Sequence, residues 1–264
     1  MRIATWNVNS VGARLPRLLA WLADVAPDVV ALQETKSASF PTAEVQALGY
    51  EVAHNGDGRW NGAALLSRVG LENVAMQFTG QPGYAGDDDA PFDLPRVEAR
   101  AVGATCGGLR MWSLYVPNGR SLDHAHYRYK LAWLDALKAA LAPEVPAGPF
   151  VVTGDFNIAP TDDDVWDIAD FTHSTHVTPA ERQRLTALLD LGLRDVVPRP
   201  GKNDRPFTYW DYRAGMFHKD KGMRIDLVYA STSLTVSDAY VDRAARKGTG
   251  PSDHAPVVVD LEMP

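Results

Sequence analysis

Short apolar runs recur along this chain, and several close on a carboxylate, an amide or a tyrosine. Pro149-Phe150-Val151-Val152-Thr153-Gly154-Asp155-Phe156-Asn157 sets the pattern. Its β-branched core predicts a buried strand, broken at Gly154, with Asp155 and Asn157 at the end. In extended chain, residues two apart point the same way, so this acid and amide share one side of a rigid edge. Ile3 to Asn7, Asp28 to Glu34, Leu109 to Val116, Ile225 to Tyr229 and Pro256 to Val259 read as further strands. The runs Arg96 to Thr105 and Leu109 to Val116 form a hairpin through Gly107-Gly108.

Helical spacing marks Arg14 to Ala23, ended by Pro27, and a short segment around Glu44 to Leu48, ended by Gly49. His124 to Leu141 predicts an amphipathic helix with Tyr127, Leu131, Leu134, Leu137 and Leu141 on its buried face. Thr178-Pro179-Ala180-Glu181 carries a cap, a first-turn proline and a box glutamate, opening a helix to Leu191. Strands and helices alternate irregularly, with hairpins among them and no linker or repeat. One domain over residues 1–264 is expected: an α/β fold of the α+β type, with two packed mixed β-sheets flanked by helices. Thr79 to Pro95, with Asp87, Asp88 and Asp89, reads as an acidic solvated loop.

Composition narrows the picture. The 264 residues suffice for a sizeable core, and no stretch is long and apolar enough for a membrane span. The N-terminus enters a strand without a signal peptide, and the one cysteine, Cys106, excludes an internal disulfide or a multi-cysteine zinc site. A cytoplasmic, monomeric protein is the expectation. The net charge of −7 argues against a broad basic surface, while leaving room for a local one.

The chemistry lies in the polar residues near the strand ends: Asn7, Glu34, Tyr115, Asp155, Asn157, Asp226, Asp253 and His254. Asp226 stands between apolar neighbours, so it needs a partner. His254 is the candidate, since a carboxylate on one ring nitrogen fixes the tautomer and favours the imidazolium. No Gly-x-Ser-x-Gly elbow and no Gly-Lys-Ser/Thr phosphate loop is present. A carboxylate-rich site of this kind suits a hard cation such as Mg²⁺ and the hydrolysis of a phosphodiester. Phe207, Tyr209, Trp210 and Tyr212, followed by Arg213, His218, Lys219, Lys221 and Arg224, offer stacking faces and phosphate-holding cations. Asp162-Asp163-Asp164 reads as a helix cap, His173 and His176 as surface-loop residues, and His124 and His126 as an exposed helix start.

Seven segments carry a resemblance. They are Thr5-Trp6-Asn7-Val8-Asn9-Ser10, Leu32-Gln33-Glu34-Thr35-Lys36, Tyr115-Val116-Pro117-Asn118-Gly119, Gly154-Asp155-Phe156-Asn157, Thr208-Tyr209-Trp210-Asp211-Tyr212, Met223-Arg224-Ile225-Asp226 and Pro251-Ser252-Asp253-His254-Ala255-Pro256. In this order they resemble the motif blocks of the exonuclease III family of abasic-site endonucleases, bacterial branch. The resemblance implies a four-layer α/β sandwich. It also implies a metal-dependent DNA repair nuclease that cuts 5′ to abasic sites in duplex DNA and trims blocked 3′ ends as exonuclease and phosphatase.

By the same resemblance, Glu34 is the principal metal ligand with Asn7 beside it, and Asp253 is a second acid near the metal. Asp155 orients or deprotonates water, with Asn157 alongside at the phosphate; both are also candidate ligands of Mg²⁺, or of Mn²⁺ in its place. His254, oriented by Asp226, binds the scissile phosphate, and Tyr115 contacts it or the leaving oxygen. Asn118, Tyr209, Trp210, Arg213, Lys219, Lys221, Met223 and Arg224 are the candidate DNA-binding residues. Two other readings compete: a phosphodiesterase of the same fold acting on a lipid, inositol phosphate or nucleotide, and a DNA-binding protein without catalysis.

Overall fold

The computed structural model describes residues 1–86 and 95–263. The acidic triplet at positions 87–89 lies outside them. Among the described residues, twelve strands appear in order: β1 (Arg2–Asn7), β2 (Val29–Gln33), β3 (Glu51–Asn55), β4 (Ala63–Ser67), β5 (Glu72–Ala75), β6 (Ala101–Cys106), β7 (Leu109–Tyr115), β8 (Phe150–Asp155), β9 (Leu193–Asp195), β10 (Asp226–Ser231), β11 (Thr235–Val241) and β12 (Val257–Glu262). The helices are α1 (Val11–Val25), α2 (Thr42–Gln46), α3 (Ala125–Leu141), α4 (Pro179–Leu189) and α5 (Met216–Lys219).

The strands form two mixed six-stranded sheets, β3-β4-β2-β1-β12-β11 and β5-β6-β7-β8-β10-β9. Each sheet has one parallel pair near its centre, β1 with β2 and β7 with β8. A parallel pair needs a crossover, and α1 and α3 lie in the two connections. Alternation along β1 explains the layering. Ile3 joins the core between the sheets, while Ala4 and Trp6 face outward with Leu18, Trp21 and Leu22 of α1. On the outer face of the second sheet, Trp112, Phe150 and Val152 pack against Trp133, Leu137 and Leu141 of α3 and Leu185 and Leu188 of α4. The order is helix, sheet, sheet, helix, the expected four layers. Each fully buried Val, Leu or Phe contributes about 1.5–3 kcal/mol.

The inter-sheet space changes character along the strands. Ile3, Val29, Ala31, Met111 and Val151 fill one stretch with apolar contact. Toward the ends of β1, β2 and β7, buried Thr5, Gln33 and Ser113 replace them, linked by Thr5 Oγ1 to Gln33 Oε1 (3.2 Å) and Gln33 Nε2 to Ser113 Oγ (3.0 Å). Buried polar groups are tolerated because they satisfy one another.

Two local expectations change. Gly154 does not break its strand; β8 runs through it to Asp155. A side chain there would meet the Leu114 carbonyl oxygen at 1.9 Å, so glycine permits the close approach of β8 to β7. In α3 the buried set is His126, Tyr129, Lys130, Trp133, Leu134, Leu137 and Leu141, while Tyr127 and Leu131 are half-exposed. The packed stripe is therefore turned from the expected one. His126 is buried, not part of an exposed start, and accepts a hydrogen bond from Gly119 N at 3.1 Å. The capping roles hold: Thr161 and Asp164 form a box at a short turn, and Thr178 and Glu181 form one at α4. Cys106 is buried and unpaired.

Candidate active site

Register brings the site together. Asp155 at the end of β8 pairs with Tyr115 of β7 on one side and with Asp226 of β10 on the other. Asn7 at the end of β1 pairs with Gln33, one residue before Glu34. His254 lies just before β12, which runs antiparallel to β1. The polar ends of both sheets therefore meet at one rim.

The Asn7 amide links the two halves. Its Nδ2 donates to Glu34 Oε1 and to Asp155 Oδ2, both at 2.9 Å. The other oxygen of Asp155 accepts from Asn157 N at 2.9 Å. The Asn157 amide donates to Val116 O (3.0 Å) and accepts from Asn118 Nδ2 (3.0 Å). His254 Nδ1 meets Asp226 Oδ2 at 2.8 Å, leaving Nε2 turned toward Asp155 Oδ2 at 3.8 Å. Asn9, Glu34 and Asn157 have φ of 45°, 50° and 51°. Non-glycine residues in the left-handed region cost energy that the surrounding bonds offset, and such residues cluster at functional sites.

Charge in this rim is frustrated. Burial, with the charges of Asp226 and Glu34, pushes Asp155 up to about 7 against the pull of His254. Burial opposes charge on His254, yet the charge and hydrogen bond of Asp226, helped by Asp155, raise it to about 10. Its ring is thus an imidazolium near neutral pH. Burial alone would raise Glu34, but Lys36, at 2.6 Å from Oε2, and Asn7 hold it below the ordinary carboxylate value. Burial and the neighbouring Glu34 and Asp155 carboxylates keep the Tyr115 phenol protonated well above its usual range.

Ligand atoms of Glu34, Asp155 and His254 lie within 4.8 Å of one another. With Nδ1 on Asp226, His254 acts as a cation and not as a ligand. The oxygen donors that remain, Glu34 and Asp155 with Asn7 between them, fit a hard cation. Such a cation would relieve the repulsion that raises Asp155. Asp253 stands further out; its Oδ1 accepts from Asn9 Nδ2 at 3.0 Å, and Asn9 Oδ1 accepts from Lys36 at 2.6 Å. Asn157 has its side-chain oxygen committed to Asn118, which places it at the edge of the cation site.

The DNA-binding candidates divide. Arg213, Lys219 and Lys221 are exposed, Asn118 and Tyr209 half-exposed, and the Tyr209 ring lies 4.8 Å from that of His254. Trp210 is fully buried, with Nε1 on Asp220 Oδ1 (3.2 Å) and Arg243 stacked on its ring at 4.5 Å, so it does not reach a DNA surface. Arg224 is buried and gripped by Asp164 (2.6 Å) and Asp195 (2.8 Å); it is a structural cation. Met223 is buried with Val165 and Ile225, which leaves it too covered to act as a wedge. His173 is exposed as expected. His176 is not a free surface residue; its Nε2 lies 3.3 Å from Asn118 Nδ2, and burial followed by the charge of Lys130 lowers it to about 3.

Residues 4–254 match the profile of the Endonuclease/Exonuclease/phosphatase family. The chain belongs to that family. Among curated relatives, it is 31% identical to Exodeoxyribonuclease III of Haemophilus influenzae, over 99% of this chain and 100% of that protein. Among solved structures, it is similar to the 3′ phosphatase NExo from Neisseria bound to a product DNA hairpin. That likeness has a TM-score of 0.90 and 35% identity over 99% of each chain. An AP endonuclease from Archaeoglobus fulgidus matches with a TM-score of 0.88 and 32% identity over the full length of both chains.

Proposed function

We propose that this member of the family is a Mg²⁺-dependent DNA repair nuclease. It hydrolyses the phosphodiester 5′ to abasic sites in duplex DNA and removes blocking groups and nucleotides from 3′ ends. The observation that carries the proposal is the Asn7 amide holding Glu34 and Asp155 together beside a charged His254. Asp155 orients a water and takes its proton as the water attacks phosphorus; the bond from phosphorus to the 3′ oxygen breaks, and that oxygen leaves as a hydroxyl with a proton from water. His254 donates from Nε2 to a phosphoryl oxygen, and Asp226 keeps that donor charged. In this reading the Asn118–Asn157 amide pair supplies further donors to phosphoryl oxygens, and the protonated Tyr115 phenol acts beside Glu34 and Asp155. Glu34 and Asp155 would hold Mg²⁺, or Mn²⁺ in its place; Asn7, expected as a ligand, instead orients both carboxylates from its amide nitrogen, its own oxygen accepting from Asn9 N at 3.0 Å. When bound, the ion supplies positive charge against the charge that develops on the phosphate.

Duplex DNA is favoured as substrate over a small phosphoester by the DNA-bound structural relative and by exposed Tyr212, Arg213, Lys219 and Lys221 on one segment. Both 3′-end processing and abasic-site incision are supported by relatives at comparable identity. A cytoplasmic monomer working on chromosomal DNA completes the reading.

The test is an end-labelled duplex with one abasic analogue, and a second duplex ending in a 3′-phosphate. Cleavage 5′ to the lesion and loss of the phosphate are expected with Mg²⁺ or Mn²⁺ and not with chelator. Full activity in chelator, or turnover only of small phosphoesters, would overturn the proposal.

A further inference from the structure

Behind the rim, one ammonium group sits in full burial with both amide residues of the site attached to it. Lys130 is 0% exposed. Its three protons are shared among four acceptors around Nζ: the main-chain carbonyls of Asn157 (2.8 Å) and Asn118 (3.2 Å), Thr175 Oγ1 (3.2 Å) and Glu181 Oε1 (2.5 Å). Glu181 balances the charge and also accepts from Thr175 Oγ1 (2.6 Å) and His176 N (3.0 Å). One turn earlier on α3, His126 takes the N–H of Gly119. The helix therefore grips both the Asn118–Gly119 loop and the end of β8.

We infer that Lys130 is a positioning residue for phosphodiester hydrolysis: it fixes the backbones of Asn118 and Asn157 so that their side-chain amides face the scissile phosphate. Asn157 has a φ of 51°, a left-handed conformation that asparagine adopts more readily than most side chain-bearing residues but still at a cost. A charge-assisted bond to its carbonyl offsets that cost and defines the direction of the peptide plane. The same ammonium fixes the peptide of Asn118, so a single group sets the spacing of two amides that already bond each other. Burying a lysine is expensive, and a fully apolar substitute would be less costly in a position with no other duty. Lys130 occupies α3 where Trp133, Leu134, Leu137 and Leu141 continue the same stripe, so the apolar alternative was structurally open. The carbonyls it holds belong to site residues, which gives the charge a purpose in geometry and not in packing. This inference rests on the proposed reaction.

The experiment uses the full chain with Lys130→Met combined with Glu181→Gln, which leaves no unpaired buried charge and keeps the capping box acceptor. Lys130→Arg is the conservative rescue. Displacement of reacting groups by about 1 Å costs about 10²-fold. The double variant should melt cooperatively, lose about 10²-fold in kcat, keep KM within about threefold, and regain part of kcat in Lys130→Arg. In an Asn118→Ala/Asn157→Ala background the same pair should cost less than about threefold more, because both amides it positions are gone. Side-chain amide resonances of Asn118 and Asn157, read by NMR without substrate, should shift or broaden in the double variant. Unshifted resonances in a folded double variant would overturn the inference even where the wild-type chain fails to cut DNA. Near-normal kcat, or a full multiplicative loss on top of Asn118→Ala/Asn157→Ala, would overturn it as well.

Discussion

Replacing Asp226 by asparagine keeps the size of the side chain and removes its charge, which isolates what that charge does for His254. Burial is the largest influence on the ring and favours the neutral form; Asp226 is the largest influence in the other direction. The rise from 6.5 to about 10 corresponds to on the order of 5 kcal/mol, at about 1.4 kcal/mol per pKa unit. A raised folded value means that the charged form persists as pH increases until the pH passes about 10. Without Asp226, burial dominates, Asp155 and then Asp253 give only partial support, and the ring becomes neutral near pH 7. A phosphate then loses one charged donor, a change that costs about 10²–10³ in rate where such donors have been removed elsewhere. The assay is a single-turnover pH–rate profile with Mg²⁺ on the abasic duplex, paired with nitrogen chemical shifts of the imidazole. The variant should lose about 10²–10³-fold near pH 7.5, recover in part toward pH 6, and show its alkaline limb shifted to lower pH. A folded variant within about threefold of wild type, with an unmoved alkaline limb, would refute the reasoning.

Asp155→Asn should abolish turnover by at least about 10³-fold while melting and DNA binding stay close to wild type; measurable near-normal turnover would remove Asp155 from its role. Arg224→Met should leave DNA affinity within about twofold and lower Tm by on the order of 10 °C. It strands Asp164 and Asp195, a loss of about 3–5 kcal/mol at about 2–4 °C per kcal/mol; a selective loss of DNA affinity would restore Arg224 to the interface. His126 is held neutral by burial, then by Arg100 and Arg120, with its value lowered to about 4. The unfolded chain therefore takes up a proton first as pH falls from about 6.5 to 4, and stability should decline across that window. Denaturant melts of wild type and His126→Asn should show a shallower decline in the variant.

Strand ends are legible in the primary structure because an apolar run that stops abruptly on an acid or amide marks where a strand leaves the core. Asn7, Glu34 and Asp155 follow that rule, Asp226 instead opens its strand, and the sheets bring all four to one rim. The direction of a side chain near a turn is not legible. Trp210 and Arg224 stand in an aromatic-basic stretch, yet face inward because their partners are set by the fold and not by the neighbouring sequence. Arg224 meets Asp164 from 60 residues away. Trp210 meets Asp220, which also binds Arg243. Lys130 does leave a signal. It falls on the stripe of Trp133, Leu134 and Leu137, and a lysine on an apolar stripe needs a buried counter-charge. Glu181, which by its spacing reads as a capping residue alone, is that counter-charge.

Neither sheet owns the chemistry. Asn7, Glu34 and His254 come from one slab, and Asp155, Asp226 and Tyr115 from the other, with the bonds Asn7–Asp155 and His254–Asp226 spanning the seam. A small slide of one slab over the other would pull Glu34 from Asp155, splitting the cation site, and His254 from Asp226, while every ladder within each slab survived. Under mild denaturant or pressure, the protein should fall silent while its circular dichroism still looks native.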